Sequence, residues 1–531
     1  MYYYVKWFRI VLNIATNKGN IACNEGVKRI NMGKISKFFK SRLFSLILSV
    51  IHIALTFVLL IYLLKLNMLP VKFFTPICFV LLLFAAISFL MGFAKGKPRT
   101  IGKILSLFMI ILSTLGVYYL AVGYGKAKDL TGANTQVDVV NVYVMKDDAA
   151  STLGDASKYT YGILAVLDRE NTDKTLANVN KIIGSSVKTE EYEGYIQLVE
   201  ALFEGEVEAI IMNEAYIEPL IEHEEYAAFK SLTKVLHNDS HTTIIEVDDN
   251  KNVSNEPFAL YLSGIDIEGG INKKSRSDVN IIAVVNPKTK NVLLVNTPRD
   301  FYMPLSVSGN MGDKLTHAGL YGVTCSMDSL EMFYDIELDY YFRINFTGFE
   351  DVIDALGGVT VESPKAFTSL HGKYKFVKGP NEMNGNKALC FVRERYAFSA
   401  GDDQRGKNQM ALIKAIADKA MSPAFLTGFQ SLMNSLDGTF ETSMSYDQLA
   451  SIVRKQLDEG GQWTVATYAV SGKGAKMPVY SMSSIPYVTV PDYSTVDKAK
   501  ELMQMVLDGY VVSDYVIENM DKENNSSTEK E

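Results

Sequence analysis

The chain has 531 residues, 48% of them hydrophobic, which is enough for more than one packed domain. Its 53 basic and 60 acidic residues leave a net charge of −7, so no basic field invites a nucleic acid and none is expected as a partner. Four cysteines (Cys23, Cys78, Cys325, Cys390) are too scattered for a disulfide framework, and the six histidines form no cluster of the kind zinc uses.

In chain order, residues 1–42 form a basic segment that includes Lys28, Arg29, Lys34, Lys37, Lys40 and Arg42. Three uncharged apolar stretches follow at 43–64, 73–93 and 104–124. Each has the roughly 20 residues that a transmembrane helix needs. A cleavable signal peptide is disfavoured, because basic residues from Lys6 to Arg42 precede the first stretch and no small-residue cleavage site follows it. The loop between the second and third stretches carries Lys95, Lys97, Arg99 and Lys103, whereas the first loop carries Lys65 and Lys72. The positive-inside rule then places residues 1–42 in the cytoplasm and everything after Tyr124 outside a cell membrane crossed three times.

Outside the membrane, residues 135–248 alternate β-rich runs with helical segments. The runs are VDVVNVYVM, YGILAVL, VEAIIM and TTIIEV. The helix DKTLANVNKIIG is capped by Thr172 or Asp173 and ends at Gly184; a second, EGYIQLVEALFEG, ends at Gly205. This alternation predicts a small α/β accessory domain with a mainly parallel sheet. The stretch from 198 to 222 resembles the helix-strand step of extracellular solute-binding lobes, and DNKNVSNEP (249–257) reads as a linker.

From Phe258 a second α/β pattern begins with FALYLSGID, VNIIAVV (279–285), the turn NPKTKN and VLLV. Pro287 presets φ in that turn and Asn286 caps it locally. Pro298 stops the VLLV strand, so Arg299 and Asp300 stand at a strand's carboxyl end, where open α/β sheets place ligands. Further on come the strand-like IELDYYFRINF, the helix FEDVIDALGG and the strand VTVES, then ALCFVRER as a strand and DQRGKNQMALIKAIADKAM as a helix with Met410, Ile413 and Ala417 on one face. Residues 521–531 read as a disordered tail.

Arg276 and Asp278, Arg299 and Asp300, Lys314, Arg343, Arg393 and Arg395, and Arg405 with Gln409 stand at strand ends or in adjacent loops. Singly, each is most cheaply a solvated charge. Jointly they suit phosphate: arginine forks bind its oxygens bidentately, and interleaved aspartates recruit a hard cation such as Mg²⁺, which typically takes one or two carboxylates. On a strand, Arg393 and Arg395 at i and i+2 would share a face.

The motifs LSGID, SRSDVNIIAVVNPKTKNVLLVNTPRD, GDKLTHAGLYGV, DYYFRINFTGFEDVIDALGGVTV, NGNKALCFVRERY and GDDQRGKNQ, in order over 260–420, closely resemble those of the LytR-CpsA-Psr family. The resemblance implies an α/β fold in three parts: a three-helix membrane anchor, the accessory domain, and an α/β/α sandwich catalytic domain over 258–515. It implies a phosphotransferase on the outer membrane face that moves a glycopolymer, such as teichoic acid or capsular polysaccharide, from a polyprenyl pyrophosphate carrier to peptidoglycan. By motif position, Arg276, Arg299, Arg393, Arg395 and Arg405 would grip the pyrophosphate with Gln409 beside them, and Asp278 and Asp300 would hold Mg²⁺ or Mn²⁺. Arg299, Asp300, Arg393, Arg395 and Arg405 are then the candidate catalytic residues. Lys314 and Arg343 are further candidates for substrate binding, and Asp266 for a metal-linked or a structural role. Three spans followed by an accessory domain resemble the capsule-associated branch. Where many members read RSDTI or RSDTM, this chain has Val279 and Asn280 after Asp278, which puts one hydroxyl hydrogen bond beside the metal site in doubt. Two rival readings use the same sequence: a lipid-linked pyrophosphatase with water as acceptor, and a membrane-tethered sensor or transcriptional attenuator of the cell envelope.

Overall fold

The three apolar stretches form helices longer than their uncharged cores: α1 (Arg42–Leu66), α2 (Val71–Phe93) and α3 (Lys97–Asp129). By length and composition each can cross a membrane. Helix α3 takes in Arg99 and Lys103, which the sequence assigns to the preceding loop; both residue types are good helix formers. The computed structural model describes residues 38–520 apart from 133–134, 222, 246–249, 266–270, 272, 400, 421–435, 437 and 483–484. Asp266, the end of TTIIEV and the 521–531 tail therefore lie outside the described residues.

Two compact units make up the chain: Met1–Phe57 with Phe79–Thr114, and Val58–Cys78 with Leu115–Glu531. In the first, polar side chains link two of the apolar helices, with Ser49 Oγ donating to Ser88 O at 3.1 Å and His52 Nδ1 lying 2.9 Å from Ser88 Oγ. Both large β-sheets and the charged candidates among the described residues lie in the second.

Within the second unit, the accessory sheet has the order β3-β2-β4-β1-β5, from β1 (Thr135–Met145), β2 (Thr160–Leu164), β3 (Lys188–Tyr192), β4 (Ala209–Asn213) and β5 (Thr233–Ile244). It is mixed rather than mainly parallel. β2 runs parallel to β3 and β4, but β1 runs antiparallel to both β4 and β5. The parallel strands are those joined through α4 (Arg169–Ile183) and α5 (Tyr195–Glu204), which supply the crossovers that parallel pairing requires. Helix α4 starts earlier than Thr172 or Asp173: its N-cap is Asp168, at φ 50° and ψ 31° with no side-chain cap bond. Gly184 and Gly205 close α4 and α5 as the sequence predicts.

The larger sheet comprises β6 (Phe258–Ile265), β7 (Ser277–Asn286), β8 (Asn291–Asn296), β9 (Tyr340–Asn345), β10 (Phe440–Thr442) and β11 (Thr464–Ala469), in the order β10-β9-β6-β7-β8-β11. Alternate residues face opposite ways. Ile282, Val284, Leu293 and Val295 pack under α7 (Val323–Tyr334) and α12 (Tyr493–Leu507) through Leu330, Val496 and Leu502. Ile281, Ala283 and Leu294 pack on the other face against Met410 of α10 (Asp402–Ala420) and Leu449 of α11 (Tyr446–Glu459). The result is an α/β/α sandwich, whose central strands are buried on both faces and so read as unbroken apolar runs.

β6, β9, β8 and β11 all point their carboxyl ends to one edge of this sheet, and β7 starts there. That edge positions the charged residues.

Candidate active site

The hairpin of β7 and β8 brings the first two candidates together. Its turn is built as the sequence predicts, with Asn286 Oδ1 accepting from the amides of Lys288 (3.1 Å) and Thr289 (3.3 Å). From Asn286↔Asn291 the register runs to Ile281↔Asn296, and Thr297 N still donates to Asn280 O at 2.9 Å. Two more steps along that register set Asp278 opposite Arg299, and Arg299 Nη1 donates to Asp278 Oδ1 at 2.8 Å. Beneath Asp278, the Tyr261 hydroxyl donates to Asn280 Oδ1 at 2.6 Å, and Ser277 and Ser263 share a hydroxyl bond of 2.8 Å.

The 299–301 segment is fixed by its backbone. Thr316 N donates to Arg299 O (2.9 Å), Leu315 N to Phe301 O (3.0 Å) and Thr489 N to Asp300 O (2.7 Å), while Phe301 is fully buried. Lys314, at the start of α6 (Leu315–Tyr321), is thereby set with Nζ 3.1 Å from Asp300 Oδ1. Gly319 allows α6 this close, since a Cβ there would lie 2.2 Å from Ser275 O and 3.0 Å from Ser277 N, on either side of Arg276. Arg276 itself is partly buried at the threshold of β7.

Helix α10 adds Arg405, 8% exposed, and Gln409 one turn on, also 8% exposed. A Cβ on Gly406 would stand 2.2 Å from Asn296 Nδ2, so glycine lets this helix rest on the end of β8 without displacing that side chain. Burial pushes the Asp300 carboxyl up, but Lys314, Arg299 and Arg405 outweigh it and hold the group below its usual range. Asp300 is thus an ionised carboxylate among three cations.

One donor here is buried without a hydrogen-bond partner: Arg299 Nε stands 3.9 Å from Asp300 Oδ1, the oxygen that Lys314 engages. A buried guanidinium N–H with no acceptor in bonding distance is placed to serve a ligand. The all-oxygen donor set of Asp278 and Asp300 fits a hard cation that draws its remaining ligands from phosphate and water. Among the described residues no larger group of His, Cys, Asp and Glu could hold a metal.

Two expectations change. ALCFVRER is not a strand: Asn384 caps α9 (Gly385–Arg393), and Ala388, Phe391 and Val392 turn inward at helical spacing. Arg393 ends that helix with its guanidinium 4.5 Å from the Phe346 ring centre, and Arg395 lies 5.1 Å from that of Tyr396. Both are exposed, and they flank the buried Glu394, whose carboxylate accepts from Leu370 N (2.6 Å) and Ala397 N (2.9 Å). Arg343 also differs. It is 4% exposed and committed to Glu441 (2.7 Å) and to Lys273 O (2.9 Å), so it braces β9 against β10 instead of offering its fork to a ligand. Burial, working against Arg343, leaves the Glu441 carboxyl above its usual range.

Sequence reasoning missed a buried network behind Lys314. His317 Nδ1 lies 2.7 Å from Asp313 Oδ1 and 2.8 Å from Ser481 Oγ, and Asp313 Oδ1 also accepts from Lys314 N at 2.7 Å. The four-residue spacing of Asp313 and His317 was its one sequence signal. Cys325 and Cys390 are free thiols.

Fold and edge together define an α/β/α protein whose clustered arginine and lysine side chains can clamp an anion rich in oxygens. The model of the LytR_cpsA_psr family matches residues 223–503. The polyisoprenyl-teichoic acid–peptidoglycan teichoic acid transferase TagU of Bacillus licheniformis is 31% identical over 252 residues, covering 47% of this chain and 78% of TagU. TagU of Bacillus subtilis strain 168 is 32% identical over 251 residues, with the same coverage of 47% and 78%. The crystal structure of B. subtilis TagU aligns with 49% of this chain and 100% of its own, at 27% identity and a TM-score of 0.38. The chain belongs to the LytR-CpsA-Psr family.

Proposed function

We propose that the chain is a membrane-anchored phosphotransferase of cell-wall biogenesis, working on the outer membrane face. It would transfer a glycopolymer, such as teichoic acid or capsular polysaccharide, from a polyprenyl pyrophosphate carrier to peptidoglycan. The observation that carries this reading is the edge where Arg299, Asp300, Lys314 and Asp278 meet beside Arg405, with Arg299 Nε lacking a hydrogen-bond partner. Its relatives' transferase names and the three apolar helices support the same reading.

In this mechanism Asp278 holds one side of the Arg299 guanidinium and leaves Nε to donate to a pyrophosphate oxygen. Arg405 and Lys314 offset charge on the phosphates, and Arg276, Arg393 and Arg395 with Gln409 extend the grip along the substrate. A sugar hydroxyl of peptidoglycan attacks the phosphorus that bears the glycan; a new P–O bond forms, and the bridging P–O bond breaks with its electron pair going to lipid phosphate. Asp300 is a poor base for the hydroxyl proton, because its carboxyl is held below the usual range. The departing lipid phosphate, with a second ionisation near about pH 6, takes it more readily. Mg²⁺ or Mn²⁺, held by Asp278 and Asp300, would supply further neutralisation of phosphate charge.

Purified full-length protein in lipid vesicles, given lipid-linked glycan and peptidoglycan, should yield glycan covalently joined to peptidoglycan. Arg299→Ala should lower that yield about 100-fold or more, as loss of a transition-state donor does. Chelation should stop the reaction and added Mg²⁺ restore it. Release of free phosphorylated glycan without attachment would leave the pyrophosphatase reading, and wild-type polymer attachment in cells carrying Arg299→Ala would leave the sensor.

A further inference from the structure

A pocket of about 620 Å³ lies where the accessory sheet meets the sandwich. That volume suits a small organic ligand. Its floor is charged. Asp138 of β1 is 1% exposed, and Lys274 Nζ lies 2.6 Å from Asp138 Oδ1 and 3.9 Å from Asp168 Oδ1. Asn213 Nδ2 donates to both carboxylates, at 2.9 Å to Asp138 Oδ1 and 2.6 Å to Asp168 Oδ2, and Asn171 Nδ2 donates to Asp168 Oδ1 at 2.8 Å.

The arrangement is incomplete in two ways. Asp138 Oδ2 is buried with no hydrogen-bond partner, and so is the hydroxyl of Tyr321, which also lines the pocket. An orphaned carboxylate oxygen is expensive to keep unless something donates to it. The charges are also unequal, since two carboxylates share one ammonium. Arg169 lines the pocket as well, but Asp173 (2.8 Å) and Glu191 (2.6 Å) engage its guanidinium. Burial, with the Asp138 charge beside it, pushes the Asp168 carboxyl above its usual range against the pull of Lys274, Asn213 and Asn171. Asp168 has a left-handed backbone and makes no cap bond to α4; its carboxylate is held by Asn171, Asn213 and Lys274 instead.

We propose that this pocket binds a small organic solute through a primary ammonium group, seated on Asp138 and Asp168 beside Lys274. Its second positive charge balances the two carboxylates, its N–H groups satisfy Asp138 Oδ2, and its body lies against Val166, Ile244, Val307 and Tyr480. A divalent metal suits the site less well, because Lys274 already occupies one oxygen and no cluster of three or more ligand residues surrounds it among the described residues. Amino sugars and amino acids both carry the required group.

Calorimetric titration of the full-length protein in detergent micelles would use glucosamine and L-lysine as probes, with N-acetylglucosamine as the uncharged counterpart. At least one ammonium probe should bind saturably, and which one does identifies the source. Asp138→Asn should weaken it about thirtyfold or more, as loss of a buried charge partner does. Val166→Trp, at an exposed position on the rim, should block binding while the melting temperature holds. Three results would each overturn the proposal: no saturation by either ammonium probe up to about 10 mM, a range that covers weak solute binding; equal binding of N-acetylglucosamine; or binding unchanged in both variants.

Discussion

Replacing Gly406 with alanine tests whether the sandwich positions the candidate site through one backbone contact. The added Cβ would stand 2.2 Å from Asn296 Nδ2 and 2.9 Å from Asn296 Cγ. Ordinary contacts lie at about 3.5–4.0 Å, so about 1.3 Å of overlap must be relieved. Asn296 is 4% exposed and ends a strand buried on both faces, which leaves α10 as the part that yields. Two effects oppose each other. Alanine inside a helix gains about 0.8–1 kcal/mol over glycine, whereas overpacking a well-filled interior costs about 1–3 kcal/mol. The net destabilisation should therefore be small, about 0–2 kcal/mol by these ranges, and thermal unfolding should barely register it. Activity should register it strongly. Arg405 precedes Gly406 directly, and a displacement of about 1 Å at a group that positions substrate can cost about 100-fold in rate. Transfer of lipid-linked glycan to peptidoglycan should fall accordingly, and Asn296→Ala in the same chain, by clearing the space, should recover part of it. A Gly406→Ala protein that transfers at the wild-type rate would refute the argument that this contact places Arg405.

Three further outcomes follow from charge. The folded Asp300 carboxyl lies below its ordinary value, so its contribution to stability is present above about pH 3.9, the unfolded value, and is lost as the pH falls through the folded one. Asp300→Asn should therefore melt earlier than wild type near neutrality, with the gap closing below about pH 3.9; a gap that widens on acidification would contradict this sign. Arg343→Ala should cost about 3–5 kcal/mol in denaturant unfolding, because it strands the buried Glu441. Arg395→Ala, at an exposed position, should stay within about 0.5 kcal/mol while lowering transfer; equal stability of the two variants would erase the distinction drawn between bracing and binding arginines.

Much of the sandwich was legible because its strands announce themselves. IIAVV and VLLV are apolar throughout, NPKTKN closes them with proline and asparagine, and Gly357-Gly358 follows α8 (Phe346–Ala355) with both residues at positive φ. Pairing partners were less legible. β3 is KTEEY, a polar edge strand with no apolar alternation to give it away. The direction of β1 depends on neighbours that arrive later in the chain, so a mixed sheet looked parallel. ALCFVRER was misread because a short apolar run is ambiguous between strand and helix, and the deciding signal, Asn384 as a cap, lies outside it. The residue types of the site could be read, but their division of labour could not. Nothing local shows that Arg343 is spent on Glu441, 98 residues away, while Arg299 keeps a donor in reserve.

The hairpin register also limits how this region can change by descent. Asp278 meets Arg299 because equal numbers of residues separate each from the turn at the far end of the sheet. Substitutions along β7 and β8 can drift while apolar volume is kept, but a single inserted or deleted residue in one arm would turn its charged tip to the opposite face. Length changes there are tolerable only as matched steps in both arms or as loops beyond Asn286 and Asn291. Related chains that keep the Arg299–Asp278 pairing should vary freely in the letters of this stretch while holding its count.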